Sequence, residues 1–229
     1  MKICVFSDIH GYLPDPNTFP EVELILIAGD VVPLAYQSNP YASKKWFVDK
    51  FNPWANSLHC NKVLFIAGNH DFYCEDNLLT MKELFPDDNK VTFLQDELYI
   101  HLTDGKMYTI YGTPWCKQFG DWAYMKSQDE LLKKWEGVPP SLDILLTHDA
   151  PYGTSDLLME TNCWWYTTDH IGNPALQQII KETHPRYNFH GHLHSTNHDC
   201  EMLDETKVYN VSLLSEQYEP IYEPLILDI

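Results

Sequence analysis

Short apolar runs rich in β-branched residues recur along the chain, and polar segments separate them. Their lengths and polar flanks are typical of strands buried on both faces of a sheet. The runs cover residues 2–7, 23–28, 62–67, 106–112, 143–148, 187–190, 207–212 and 223–229. The pattern therefore predicts strands from one end of the sequence to the other.

Helical segments fall between these runs. We predict helices over about 41–51, 76–85, 128–135 and 174–183, and Pro174 suits the first position of the last one. The first helix is expected to break near Pro53, whose nitrogen has no hydrogen to donate. Strands that alternate with helices, without a repeat or a flexible linker, predict a single α/β domain over residues 1–229.

Polar side chains follow several of the predicted strands. The chain reads SDIHG after the first strand, AGD after the second, AGNHD after the third, and THD and HGHLH after two later ones. Sites in α/β sheets gather at the carboxyl ends of the strands. We therefore expect these Asp, Asn and His residues to share one site.

Composition limits the partners and the compartment. The formal net charge is −18, and among 15 basic residues Arg186 is the only arginine, so the basic patch that long nucleic acids require is missing. No apolar run is long enough to span a membrane. The first residues show no signal-peptide pattern, and the six cysteines form no C-x-x-C pair, which predicts reduced thiols and a cytoplasmic location.

The strand-end residues offer the donor atoms of a metal site. A lone buried histidine is more often a hydrogen-bonded core residue than a ligand. Five polar segments that each follow a predicted strand reverse that expectation. Three oxygen donors and four imidazoles exceed what one tetrahedral zinc takes. They suit two cations roughly 3.5–4 Å apart that share the Asp30 carboxylate. The candidate ligands are Asp8, His10, Asp30, Asn69, His148, His192 and His194.

The same residues carry a family resemblance. D-x-H (8–10), G-D (29–30), G-N-H-D (68–71), T-H (147–148) and G-H-x-H (191–194) resemble the motifs of the calcineurin-like metallophosphoesterase superfamily. The resemblance implies a four-layer αββα sandwich with mixed β-sheets. It also implies hydrolysis of phosphate esters by a hydroxide that bridges two cations.

The resemblance assigns a role to each matching position. One cation would be held by Asp8, His10, Asp30 and His194, and the other by Asp30, Asn69, His148 and His192. His70 would act as general acid or stabilise the phosphate, and Asp71 would orient its ring. His190 matches no ligand position and is interpreted as a strand residue. Such mixed ligation suits Mn, Fe, Zn, Co, Ni or Mg, with Mn or Fe favoured.

The details favour one branch of the superfamily. The protein Ser/Thr phosphatases carry G-D-x-V-D-R-G and G-N-H-E, whereas this chain has GDVVP and GNHD. The closer resemblance is to the small phosphodiesterases of the MPPED/brain 239 type, through residues 111–125, 143–156, 170–180 and 210–229. Relatives usually read T-H-G-P-P where this chain has Asp149 after His148, which leaves the substrate and the metal preference open.

We expect a small phosphate-ester substrate, with cyclic or other nucleotides favoured. Trp164, Trp165 and Tyr166 could form a lid that stacks on a base, or equally could pack in the core. A phosphomonoesterase acting on a small metabolite is an alternative, and so is a non-catalytic interaction module on the same fold. A monomer or a homodimer is expected.

Overall fold

The computed structural model of the protein describes residues 1–157 and 170–229. Its strands, in chain order, are β1 (Lys2–Phe6), β2 (Val22–Ala28), β3 (Cys60–Ile66), β4 (Val91–Phe93), β5 (Glu97–Thr103), β6 (Lys106–Thr113), β7 (Cys116–Lys117), β8 (Met125–Lys126), β9 (Ile144–Thr147), β10 (Tyr187–His190), β11 (Glu201–Leu203), β12 (Thr206–Asn210) and β13 (Leu225–Asp228). Its helices are α1 (Pro40–Trp46), α2 (Asn52–Ser57), α3 (Phe72–Asp76), α4 (Leu78–Leu84), α5 (Gln128–Trp135) and α6 (Pro174–Thr183), with a π-helical segment (Phe47–Phe51) between α1 and α2.

In the described part of the chain, the strands form two large mixed sheets and one small one. The first sheet has the order β13-β1-β2-β3-β4, and only β13 runs antiparallel to its neighbour. The second has the order β11-β12-β10-β9-β6-β5, with antiparallel strands at its two edges. Strands β7 and β8 pair with each other and form the small sheet.

Alternating side chains place the two large sheets face to face. Val5 and Leu26 of the first sheet point inward and pack with Ile110, Leu146 and Phe189 of the second. The residues between them point outward and pack on helices. Along β1, for example, Cys4 and Phe6 belong to the outer cluster, as the period of two in a strand requires.

Helices cover both outer faces. Phe51, in the π-helical segment, lies 4.9 Å from the ring centroid of Phe65 on the first sheet. On the second sheet, the Trp135 indole of α5 donates to the Thr113 hydroxyl at 2.9 Å. The predicted four-layer αββα sandwich is confirmed. The parallel strands of the two large sheets have their carboxyl ends at the same edge of the molecule.

Three details differ from the sequence prediction. The first helix does not break near Pro53, because the π-helical segment before it accommodates the missing N–H, and the chain stays helical as far as Ser57. The predicted helix over 76–85 is observed as α4, and the short helix α3 before it was not predicted. Strands β4, β5, β7, β8 and β11 were not predicted. In the described residues, no helix is long and apolar enough to cross a membrane.

Candidate metal centre

The predicted ligands meet where the carboxyl ends of the two large sheets come together. Asp8, Asp30 and Asn69 follow the adjacent strands β1, β2 and β3 of the first sheet. His148 and His192 follow the adjacent strands β9 and β10 of the second sheet. The structure thus brings together side chains separated by up to 186 positions, as in the pair Asp8 and His194.

The backbone at this edge adopts conformations that side chains rarely tolerate. Asp8, His10, Asp30 and His192 all have positive φ, at 54°, 40°, 52° and 68°. Each such residue costs on the order of 1–3 kcal/mol and persists only where surrounding contacts hold it. Strained residues of this kind concentrate at functional sites, and four of them here belong to the predicted ligand set.

Two glycines give the carboxylates the space they occupy. A Cβ at Gly68 would overlap the Asp30 Oδ1 atom, and a Cβ at Gly191 would overlap the Asp8 Oδ2 atom. Any other residue at either position would push a carboxylate out of place. The glycines of G-N-H-D and G-H-x-H are therefore part of the site.

Asp30 lies at the middle of the cluster. Its Oδ1 accepts the His70 backbone N–H at 2.8 Å. Its Oδ2 faces the Nε2 atoms of His148, His10 and His70 at 3.4, 3.6 and 3.9 Å. These separations exceed those of a normal N–H···O hydrogen bond. The spacing of the Asp30 oxygen from the nitrogens of His148 and His10 is that expected of atoms that share a cation.

Neighbouring groups fix the rings in the orientation that ligands require. His148 Nδ1 lies 2.8 Å from the Ala28 carbonyl, and His194 Nδ1 lies 2.9 Å from the Ser215 carbonyl. An acceptor at Nδ1 places the hydrogen there and leaves Nε2 free to bind a metal. His148 Nε2 lies 3.1 Å from the Asn69 oxygen, and His194 Nε2 lies 3.1 Å from Asp8 Oδ1.

The electrostatics of the cluster fit bound cations. Burial raises the pKa of Asp8 and Asp30, but the histidines next to them hold both values well below the usual range. Burial lowers the pKa of His148 and His194, yet Asp30 and Asp8 raise them to about 10 and about 9. Without a metal, protons on these histidines compensate the two buried carboxylates. Cations would take over that role and leave neutral imidazoles as donors.

Two further observations support the fit. Ligand atoms of Asp8, His10 and His194 lie within 4.8 Å of one another, and so do those of Asp8, Asp30 and His148. His10 Nδ1 is buried and has no hydrogen-bond partner among the described residues. Burial lowers the pKa of His10 to about 4, so its imidazole is neutral over most of the pH range and able to act as a donor.

His70 faces the cluster, but Asp71 does not orient its ring. The His70 Nδ1 atom lies 2.5 Å from the side-chain oxygen of Gln37. The Asp71 carboxylate instead accepts backbone N–H groups of Val31, Val32 and Gly68. The expected contact between Asp71 and the ring is therefore wrong. Asp71 holds two strand-end loops together, and the residue that contacts the ring was missed because nothing near Gln37 forms a motif.

Aromatic side chains border a cavity of about 520 Å³ beside the cluster. The Trp122 ring lies 4.6 Å from the His70 ring, and the Phe119 ring lies 5.4 Å from that of His192. Tyr218 contacts His10 with centroids 5.0 Å apart. These residues lie in stretches that carry the family resemblance, but no pattern in those stretches assigns them to the cavity wall.

In the described part of the chain, few cationic side chains reach this cavity. Lys117 lines it, and its ammonium group is bonded to the carbonyls of Ile171 and Gly172. Arg186 lies at the amino end of β10 and pairs with Asp143 at 3.0 Å. Glu216 adds a carboxylate to the rim. Among the described residues, the lining of this cavity therefore offers little positive charge of its own.

Other predicted residues fall outside the cluster. His190 is fully buried in β10, and its Nδ1 atom is 3.0 Å from the Gly191 carbonyl, which agrees with its interpretation as a strand residue. Trp164, Trp165 and Tyr166 lie outside the described residues. Asp149 is buried beside His148, and its carboxylate accepts from the Lys117 backbone N–H and the Asn173 side chain.

Comparison with known proteins gives a consistent result. The model of the calcineurin-like phosphoesterase family matches residues 1–196. Human metallophosphoesterase domain-containing protein 1 is 29% identical over 246 residues, which cover 99% of this chain and 70% of the relative. UPF0046 protein T07D4.2 of Caenorhabditis elegans is 27% identical over 246 residues, which cover 96% of this chain and 58% of the relative.

A solved structure has the same fold. Phosphopantetheinyl hydrolase (PptH) from Mycobacterium tuberculosis superposes with a TM-score of 0.56 over 99% of this chain and 95% of its own. The two sequences are 12% identical, so the likeness concerns the fold alone.

Proposed function

This chain belongs to the calcineurin-like phosphoesterase family, whose members are metal-dependent phosphohydrolases, and we propose that it hydrolyses phosphodiester bonds of small substrates at a centre of two divalent cations. The observation that carries the proposal is the position of Asp30. Its Oδ2 atom faces the Nε2 atoms of His148 and His10, one proposed ligand of each cation, at 3.4 and 3.6 Å. A fully buried carboxylate in such surroundings is suited to bridging two metals.

The proposed ligands form two sets that share Asp30. We assign Asp8, His10, Asp30 and His194 to one cation, and Asp30, Asn69, His148 and His192 to the other. The first set is supported by the contact between Asp8 and His194 and by the ligand atoms of Asp8, His10 and His194, which lie within 4.8 Å of one another. The second is supported by the contact between Asn69 and His148.

Bound cations would supply Lewis acidity and lower the pKa of a coordinated water. The protein groups then position the substrate and manage its protons. His70 Nε2 faces the cavity and is suited to donating a proton to the leaving alkoxide. Gln37 holds the other nitrogen of that ring. The buried Asp71 fixes the loops that carry Asp30 and His70 by accepting their backbone N–H groups.

The charge of the site favours diesters over monoesters. A monoester carries two negative charges near neutral pH and benefits from arginines beside the metals. Here Arg186 lies at the far end of its strand, and Lys117 is occupied by backbone carbonyls. A diester carries one negative charge and needs fewer cationic side chains beside the metals, which fits a chain with a net charge of −18.

Nucleotides are the favoured substrates within that class. The cavity of about 520 Å³ is large enough for a nucleotide. Phe119, Trp122 and Tyr218 present aromatic faces beside the cluster, and they are 53%, 37% and 42% exposed. Aromatic faces stack on any nucleobase.

One assay tests the proposal. The protein is stripped with a chelator, reloaded with Mn, Fe, Zn, Ni or Mg, and assayed on bis-p-nitrophenyl phosphate and p-nitrophenyl phosphate. Asp30→Asn serves as the inactive control. We expect metal-dependent turnover of the diester well above that of the monoester. Preference for the monoester would identify a phosphomonoesterase instead, and absence of turnover in protein that binds two ions would support the non-catalytic alternative.

A further inference from the structure

A cysteine follows a third strand of the second sheet at the same edge. Strands β6, β9 and β10 are neighbours in that sheet, with Thr113 paired to Thr147 and Leu146 paired to Phe189. His148 follows β9 and His192 follows β10. Cys116 lies three residues after the end of β6. The sheet therefore places the Cys116 sulfur beside the imidazoles of His148 and His192 at the carboxyl ends of neighbouring strands.

The three side chains lie within reach of one ion. One ligand atom each of Cys116, His148 and His192 lies within 4.8 Å of the others. A zinc ion binds sulfur at about 2.3 Å and imidazole nitrogen at about 2.0 Å, so the ligand atoms of a tetrahedral site lie about 3.5 Å apart. Movement of these side chains toward a common centre would complete the coordination.

The donor atoms of these three side chains have few hydrogen-bond partners among the described residues. The Cys116 thiol is fully buried, and it donates to the Pro114 carbonyl at 3.6 Å. Neither ring nitrogen of His192 is hydrogen-bonded to another described residue. His148 Nδ1 is bonded to the Ala28 carbonyl, so the nitrogen that can bind a cation is Nε2, which lies 3.1 Å from the side-chain oxygen of Asn69, a proposed ligand of the same cation.

The backbone around Cys116 is held from both sides. Its N–H donates to the Tyr124 carbonyl at 2.8 Å. The next N–H, of Lys117, donates to Asp149 Oδ2 at 2.8 Å, and the same oxygen accepts from the Asn173 side chain at 2.9 Å. Asp149 immediately follows His148 in the chain. Its carboxylate therefore ties the segment that carries Cys116 to the one that carries His148.

We propose that Cys116 is a thiolate ligand of the cation held by His148 and His192, and that its sulfur gives this position a preference for Zn²⁺, Fe²⁺ or Co²⁺ over Mg²⁺. On binding, the S–H bond breaks, the sulfur–metal bond forms, and the proton passes to water. Thiolate donors select softer ions, whereas Mg²⁺ favours oxygen donors alone. The inference rests on the proposed function, because it requires a cation at this position.

X-ray absorption spectroscopy of the zinc-loaded protein tests the inference without an activity assay. The zinc content is measured first. We expect a zinc–sulfur distance of about 2.3 Å in addition to nitrogen and oxygen neighbours. Cys116→Ser should lose this sulfur contribution. Cys60→Ser is the matched control, because Cys60 lies at the opposite end of β3 from Asn69, and it should keep the contribution.

Each outcome is informative. Zinc bound with nitrogen and oxygen neighbours only, or a sulfur contribution that survives in Cys116→Ser, would overturn the inference and leave the proposed function intact. Failure of the wild-type protein to bind zinc or any other divalent cation would overturn both. The wild-type spectrum alone decides against the inference if sulfur is missing, so the test does not depend on the folding of the variant.

Discussion

The side-chain oxygen of Gln37 lies 2.5 Å from the Nδ1 atom of His70. An amide oxygen can only accept, so this contact places the ring hydrogen on Nδ1. The opposite nitrogen, Nε2, then faces Asp30 and the cavity at 3.9 Å from Asp30 Oδ2. Gln37 thus accepts the Nδ1 hydrogen of the one histidine in the cluster that is not a proposed metal ligand, so the proton that protonated His70 can transfer is the one on Nε2.

We predict that Gln37→Ala lowers kcat roughly tenfold, as loss of an orienting partner commonly does, while the metal content stays unchanged. Gln37→Glu keeps the acceptor and adds a negative charge, which should stabilise protonated His70 and move the pH profile of kcat to higher pH. Ser38→Ala is the control, because Ser38 is the next residue and is exposed. An unchanged kcat and pH profile in both Gln37 variants would contradict the positioning role.

His70→Ala should separate catalysis from metal binding. General acid catalysis contributes roughly 10²- to 10⁴-fold, so we expect a loss of kcat in that range. The metal content should stay at the wild-type value, because no proposed ligand is removed. Both quantities are measured on the same sample. The exposed His59 provides the control His59→Ala. Loss of metal together with activity would mean that His70 is a ligand.

Trp122 should discriminate between substrates with and without a base. Stacking on an aromatic side chain stabilises a base by about 1–3 kcal/mol, so Trp122→Ala should raise KM for a nucleotide diester by roughly 5- to 150-fold. The KM for a dialkyl phosphate should change little. Tyr41→Ala is the control and should leave both KM values unchanged, because it removes an aromatic ring that is 79% exposed and lies on α1. Equal effects of Trp122→Ala on both substrates would remove the stacking argument.

The strands that build the site could be predicted because their sequence signal is strong. Strands β1, β2 and β3 are buried on both faces over nearly their whole length, which gives a continuous apolar run. Strand β5 was missed because its pattern is inverted. Leu98, Ile100 and Leu102 are exposed at this sheet edge, whereas His101 between them is buried.

The metal ligands could be predicted because each follows such a strand. Asp8, Asp30 and Asn69 lie at most three residues beyond a strand end, where topology alone brings them together. Gln37 and Trp122 reach the site from loops, and their positions depend on tertiary packing that no local pattern records. Cys116 also follows a strand, but it stands alone in the sequence without a second cysteine to mark a metal motif.

His190 should make the protein less stable in acid. Its Nε2 atom is buried without a hydrogen-bond partner among the described residues, and burial lowers its pKa to about 4. In the unfolded chain a histidine has a pKa of about 6.5. Between these two values the unfolded state binds more protons than the folded state. The free energy of unfolding must therefore fall as the pH falls from about 6.5 to about 4.

A pKa shift from about 6.5 to about 4 changes the free energy of unfolding by roughly 3 kcal/mol in total. His190→Leu removes the titrating group, so the stability of the wild type relative to this variant should fall by up to that amount between pH 7 and pH 4. Urea unfolding of both metal-free proteins at several pH values measures the difference between their free energies of unfolding. His148 and His194 are present in both proteins, so their protonation cancels in this difference. The control His59→Leu, at an exposed position, keeps His190 and should therefore lose stability in acid as the wild type does. If the wild type and His190→Leu lose stability in parallel, the buried imidazole is not the source of the acid sensitivity.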